Sequence, residues 1–205
     1  MNRLASLTAV ALCLVVMAPA AHAQLPDQQQ QQPGDTRNHG NIGAYVDFLR
    51  LQSFPLNTFG VGGRIGFNIQ RHIVLEWEMS YDFERTQSTA ITAGGITNTI
   101  RTNIHMLHGL GGVKIQSTGS FRYFGLFKGG FVNFGVGGPV TAGAINNQLG
   151  NIQNGDTQKV FYPGGGVEMN RGKWGIRVEA GDEIMFLTGG ASNNIRVAAG
   201  PQFRF

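Results

Sequence analysis

The stretch I73-V-L-E-W-E-M-S-Y-D-F-E84 decides the fold, because it alternates almost without exception. Ile73, Leu75, Trp77, Met79, Tyr81 and Phe83 occupy one parity; Val74, Glu76, Glu78, Ser80, Asp82 and Glu84 occupy the other. Side chains project to opposite faces of a strand with period two, so the segment predicts one apolar wall and one acidic wall. A water-soluble sandwich turns the apolar wall inward. A closed barrel in a bilayer does the reverse.

The ends of the chain bear on that choice. The opening MNRLASLTAVALCLVVMAPAAHA combines Arg3, an apolar run from Leu4 to Met17 and the small-residue site Ala21-His22-Ala23. That pattern predicts a secretory signal peptide over residues 1–23, cleaved near Ala23, and is too short for a spanning helix. Cys13 lies inside the signal after Leu12, where a lipoprotein site needs a small residue. The mature chain then has no cysteine, so disulfides and thiol chemistry are excluded. Its formal charge falls from +4 to +3, because Arg3 is the only charged residue removed. No basic stripe accompanies this weak bias, which argues against a nucleic-acid partner.

Residues 24–39 contain five consecutive glutamines followed by Pro33-Gly34 and read as a disordered polar periplasmic tail. The single domain expected beyond it spans residues 40–205. Gly reaches 31 residues and Phe 14, while charged residues make up only 14%, a composition poor in helix formers and suited to closely packed strands.

Eight strand-like segments follow, near 41–50, 57–69, 73–84, 100–115, 121–134, 158–169, 174–184 and 194–205. QRH, QSTGS and NRGK are short connections, whereas 85–99, 135–157 and 185–193 are long, and 51–56 is intermediate. Tight turns at one end and long loops at the other predict an all-β fold, an eight-stranded antiparallel up-and-down transmembrane β-barrel. Strands of about 9–11 residues suffice to cross a bilayer when tilted.

The other segments share the pattern. Phe59, Val61, Ile65 and Phe67 oppose Arg64; Trp174, Ile176 and Val178 oppose Arg177 and Glu179; Ile195, Val197, Phe203 and Phe205 oppose Arg196 and Arg204. Phe121, Tyr123, Phe127 and Phe131 oppose Arg122 and Lys128, although Phe124 and Leu126 blur that segment. In the fourth segment Ile104, Met106 and Leu110 choose one face and Leu107, Val113 and Ile115 the other; a bulge near Gly109 is the expected remedy. The predicted lipid-facing belt is therefore Ile73, Leu75, Trp77, Met79, Tyr81, Phe83, Trp174, Ile176, Val178 and Phe203. The predicted lumen charge network is Arg64, Glu76, Glu78, Asp82, Glu84, Arg122, Lys128, Arg177, Glu179, Arg196 and Arg204, where buried charges need opposite partners. Phe67, Phe121, Tyr123, Trp174, Phe203 and Phe205 cluster near the short turns as one interfacial girdle.

With signal, eight segments and the closing NIRVAAGPQFRF assembled, the chain resembles the small outer-membrane β-barrel superfamily of the OmpA/OmpX type over about residues 40–205. IVLEWEMSYDFE and the glycine-rich HGLGGVKI carry the same likeness. The resemblance implies the cell outer membrane as location, with its lipid and the barrel-assembly machinery as partners and Phe205 as assembly signal. No peptidoglycan-binding domain follows, so the wall-anchoring role of longer members is not implied.

Candidate chemistry is weighed against plainer readings. His105 and His108 lie three apart on a strand and point to opposite faces, which argues against a metal site. The acids of the third segment, facing at least six bases, read as a salt-bridged plug rather than catalytic carboxylates. GVGGRIG at 60–66 lacks the third glycine and the βαβ unit of a dinucleotide site. Ser88 and His105 share no local motif, and neither cofactor nor catalytic residues are expected. The expectation is a non-enzymatic outer-membrane protein with a side-chain-filled polar lumen, acting structurally or through its loops, which offer an extracellular ligand a surface. The alternatives are a narrow channel for ions or very small solutes, and a soluble periplasmic β-barrel binding an apolar ligand.

Overall fold

The computed structural model describes residues 39–52, 56–93, 96–137, 154–187 and 190–205. The expected signal peptide, and all of the polar tail but His39, lie outside them. Ten strands run in chain order: β1 (Gly40–Leu51), β2 (Leu56–Gln70), β3 (Ile73–Ala93), β4 (Ile96–Gln116), β5 (Phe121–Gly137), β6 (Thr157–Arg171), β7 (Trp174–Asp182), β8 (Ile184–Leu187), β9 (Gly190–Ser192) and β10 (Asn194–Arg204). Each of β1 to β6 pairs antiparallel with its sequence neighbour, β6 with β7 and β7 with β10, and β10 closes on β1.

The two extra strands do not change the number of staves. β6 pairs Gly164 with Gly181 in β7 and Phe161 with Ile184 in β8, in one unbroken register. β7 pairs Asp182 with Ile195 and β8 pairs Met185 with Ser192, again in one register. β7 and β8 thus form one stave, β9 and β10 another, and eight staves close the barrel. At the interruption, side chains join the backbone bond from Glu183 N to Asn194 O at 2.7 Å: Asp182 Oδ1 accepts from Asn194 N at 2.9 Å, and Asn194 Nδ2 donates to Glu183 O at 2.9 Å.

Two expected long loops are therefore strand. Residues 185–193 are mostly β8 and β9, and 85–99 is largely a ribbon in which β3 and β4 pair as far as Ala93 and Ile96. Pairing of β2 with β3 stops at Gly60–Asp82, and that of β4 with β5 at Asn103–Gly137, so the ribbon continues past the barrel's rungs. The third long connection lies outside the described residues over 138–153.

Short turns join β2 to β3, β4 to β5 and β6 to β7, all at one end of the barrel. Gly119 and Gly172 adopt φ of 111° and 63° in two of these turns, a region glycine enters without a Cβ clash. The expected bulge at Gly109 is absent: β4 pairs without a shift from Met106 to Ile115 with β3 and from Asn103 to Gln116 with β5. The irregularity falls instead on β3, between Asp82 and Arg85. Parity in β4 holds because the barrel accepts apolar side chains inside as well as outside.

Candidate functional site

The lumen gathers the chain's charges. Glu76, Glu78 and Asp82 from β3 meet His108 and Lys114 from β4, Lys128 from β5, Glu168 from β6, Arg177 and Glu179 from β7, Arg196 from β10, Asp47 from β1 and Arg64 from β2, all buried. Alternation delivers them. Every one sits on the parity opposite an outward apolar residue of its own stave. Glycines on the inner faces make room: a Cβ on Gly60 would collide with the carboxylates of Asp47 and Asp82, and one on Gly62 with the ring of Tyr45.

The ion pairs form a connected web. Arg177 grips Glu76 through Nη1 to Oε2 at 2.5 Å and Nη2 to Oε1 at 2.9 Å, the bidentate fork that suits a carboxylate. Its Nη2 also lies 2.5 Å from Glu179, and its Nη1 lies 3.6 Å from Glu168. Lys128 bridges Glu76 and Glu78, at 2.6 Å to each. Arg196 reaches Glu78 at 2.8 Å, Asp47 at 2.9 Å and Glu183 at 3.5 Å. Lys114 donates to Glu168 at 2.5 Å, and Arg64 to Glu179 at 2.7 Å. Among the described residues seven buried carboxylates face five buried Lys and Arg, and four of those cations are shared between at least two acids.

Aromatic faces support the cations. The guanidinium of Arg177 lies 4.4 Å from the Phe124 ring centre and that of Arg64 lies 4.3 Å from Tyr45. An apolar cluster completes the filling, with Leu49, Leu56, Ile104, Met106, Leu110, Leu126, Val132, Phe134, Val160 and Met185 among its members. Four of the six largest fully buried side chains are nonetheless cations, namely Arg177, Arg196, Lys114 and Lys128.

The outer wall is the converse. Exposed large apolar residues occur on every stave, among them Val46, Phe59, Met79, Leu107, Phe127, Met169, Ile176 and Ile195. No family model matches the chain, and no curated protein matches it. Among solved structures, Neisserial surface protein A is similar at 8% identity and a TM-score of 0.50, covering 81% of this chain and 96% of that one. Ail, the attachment invasion locus protein of Yersinia pestis, solved with the heparin analogue sucrose octasulfate, is similar at 12% identity and a TM-score of 0.47, covering 80% and 96%. The N-terminal β-barrel domain of Pseudomonas aeruginosa OprF gives 9% identity and a TM-score of 0.43, covering 82% and 100%. The fold is that of a small outer-membrane β-barrel.

Within this barrel, the residues anticipated for the lumen divide. Arg64, Glu76, Glu78, Asp82, Lys128, Arg177, Glu179 and Arg196 meet in the web. Glu84 does not: it stands exposed within the irregularity between Asp82 and Arg85, which ends the inward parity of β3. Arg122 and Arg204 are half-buried at the short-turn end, and Arg122 Nε donates to Gly119 O at 2.9 Å. Of the predicted belt, Trp77, Met79, Tyr81, Phe83, Trp174, Ile176 and Val178 are exposed, while Ile73, Leu75 and Phe203 are half-buried against neighbours on the same outer surface. Phe205 is exposed, and its backbone bonds to Gly40.

Five members of the web escaped the sequence reading. Asp47 and Glu168 alternate legibly with Val46, Phe48, Val167 and Met169 in β1 and β6, two segments whose parity was left unread. Lys114 was obscured by the mixed apolar pattern of β4. His108 points inward while His105 points outward against Gly135 and the Tyr81 ring. His108 Nε2 lies 3.3 Å from Asp82 and its Nδ1 2.8 Å from Glu183, the latter off the hydrogen-bonding direction. Glu183 continues the inward parity of Arg177, Glu179 and Met185 through the interruption between β7 and β8.

Proposed function

We propose that this protein is an integral outer-membrane barrel with a sealed lumen, non-enzymatic, acting structurally or through the end that carries the ribbon and the longest connection. One observation carries the reading: the interior holds the charges and the exterior holds the aromatic and aliphatic side chains. In water such a continuous apolar exterior would aggregate; in a bilayer it is solvated, and closure of β10 on β1 and β5 on β6 removes the sheet edges. This inversion opposes the soluble periplasmic alternative. The channel alternative is opposed by the filling, since an eight-stranded barrel has room for little beyond its own side chains.

The acid–histidine group Asp82–His108–Glu183 lies buried within the lumen, out of reach of a substrate, which favours a packing role over catalysis. Fractionation of cells, with heat-modifiable gel migration, tests the placement. The protein is expected in the outer-membrane fraction, with boiled and unboiled forms migrating differently; recovery in the soluble periplasm would overturn the reading. Spin labels at Met79 and Ile176 are expected to report acyl chains. In planar bilayers no reproducible conductance steps are expected, and steps abolished by Glu78→Gln would replace the sealed barrel with a channel.

A further inference from the structure

The two rims of the barrel differ in charge. At the short-turn end Arg71 lies in the β2–β3 turn, Arg171 ends β6 and Lys173 lies in the β6–β7 turn, all exposed. Arg122 at the start of β5 and Arg204 at the end of β10 add half-buried charge around the same ring. Among the described residues no exposed Asp or Glu side chain occurs at this end; its acids, Glu76 and Glu168, are buried in the lumen. At the opposite end Arg50, Arg85, Arg101 and Lys159 are interspersed with Glu84, Asp156 and Asp182. One rim is mixed; the other is cationic.

Arg171 and Lys173 sit on the outer wall, Arg171 on the outward parity of exposed Met169 and across from Trp174, whereas Arg122 and Arg204 share the inward parity of Lys128 and Gln202. Lys173 Nζ lies 6.0 Å from the Phe203 ring, which packs edge-on to Trp174 at 5.1 Å. The backbone nitrogen of Arg204 donates to Lys173 O at 2.7 Å, tying the β6–β7 turn to the closing stave. Exposed Phe67, Phe121, Tyr123 and Trp174 lie just inside this ring. Aromatic side chains settle at the level of lipid headgroups. Arg171 and Lys173 are therefore held at the level of phosphodiesters, and among the described residues no exposed Asp or Glu side chain lies at this rim.

We propose that the short-turn rim binds anionic phospholipid headgroups, of the phosphatidylglycerol class, in the leaflet it adjoins. This rests on the outer-membrane reading and adds a lipid preference to it. A basic residue near an anionic surface strengthens association about fivefold, and the effect fades within a Debye length. A wall polymer rich in carboxylates would be drawn to cations over the mouth such as Arg122 and Arg204; exposed Arg171 and Lys173 beside the aromatic girdle fit lipid better.

Trp174 reports on this rim, and Trp77→Phe leaves it the only tryptophan of the two in the chain. The barrel, refolded in phosphatidylcholine bilayers, is titrated with brominated phosphatidylglycerol or brominated phosphatidylcholine at equal mole fraction. Brominated phosphatidylglycerol is expected to associate at least about threefold more strongly, judged by quenching, with the ratio falling in high salt. R71Q/R171Q/K173Q should bring the ratio to one, while R50Q/K159Q at the other rim should leave it unchanged, both variants being checked for heat-modifiable migration. A ratio of one in the unmodified rim overturns the proposal, and so does loss of sacculus binding in the triple variant without loss of lipid preference. Absence of quenching by either lipid would instead sink the membrane placement beneath it.

Discussion

Strands β3 and β5 present the same outer surface and opposite inner ones. Outside, Trp77, Met79 and Tyr81 match Tyr123, Phe127 and Phe131. Inside, β3 contributes Glu76, Glu78, Ser80 and Asp82, whereas β5 contributes Phe124, Leu126, Val132, Phe134 and Val136 around Lys128, its one fully buried cation. Lys128 joins the two chemistries by reaching between Glu76 and Glu78. The contrast teaches that a bilayer dictates only the outer parity. The inner parity answers to volume and to pairing, and either charge or hydrocarbon satisfies it when the space is filled.

Removal of a shared cation separates the two interiors most sharply. Arg177→Leu leaves Glu76, Glu168 and Glu179 short of a partner in a buried setting, and is expected to cost about 3–5 kcal/mol in urea unfolding of the bilayer-inserted barrel. Adding Glu76→Gln should recover part of that loss, and no recovery would mean the charges are not coupled as the geometry states. On the apolar side, Phe134→Ala opens a cavity and is expected to cost about 3 kcal/mol by the same assay. A larger loss there than at Arg177 would reverse the ranking of the two interiors.

A volume-conserving swap probes the bridge itself. Lys128→Met with Glu76→Gln and Glu78→Gln removes one cation and two anions while keeping the lumen filled. Stability within about 1 kcal/mol of the parent is expected if filling dominates, since apolar or neutral replacements of buried ion groups are often near neutral. Arg177 and Arg196 then lose partners, so a large loss would show that the web acts as a unit. Glu84→Gln tests the boundary: this exposed residue lies beyond the web, and its unfolding midpoint should match the parent's.

The same contrast explains how much could be read in advance. Alternation is visible only where the two faces of a strand differ in chemistry, which is why IVLEWEMSYDFE announced its facing and FRYFGLFKGGF hid half of its own. Phe124 and Leu126 blurred β5 because they are lumen residues made of hydrocarbon. Met106 and Leu110 did the same in β4 and invited a bulge that does not exist. Strand lengths beyond the rim were illegible for another reason: the Thr-rich 85–99 carries no apolar period, yet continues as paired ribbon. Glu84 was misplaced because a one-residue slip in β3 leaves no composition signal.

The web spans all eight staves, and this bears on how the chain finds its register. An apolar outer wall repeats every second residue, so it rejects a slip of one position between neighbours and tolerates a slip of two. Charges discriminate further: Glu168 in β6 lies directly across from Arg177 in β7, 3.6 Å from its guanidinium. A two-residue slide at the β6–β7 seam would keep the greasy exterior intact while carrying Arg177 a full rung past Glu168. Ionic pairing thus proofreads an alignment to which lipid is blind.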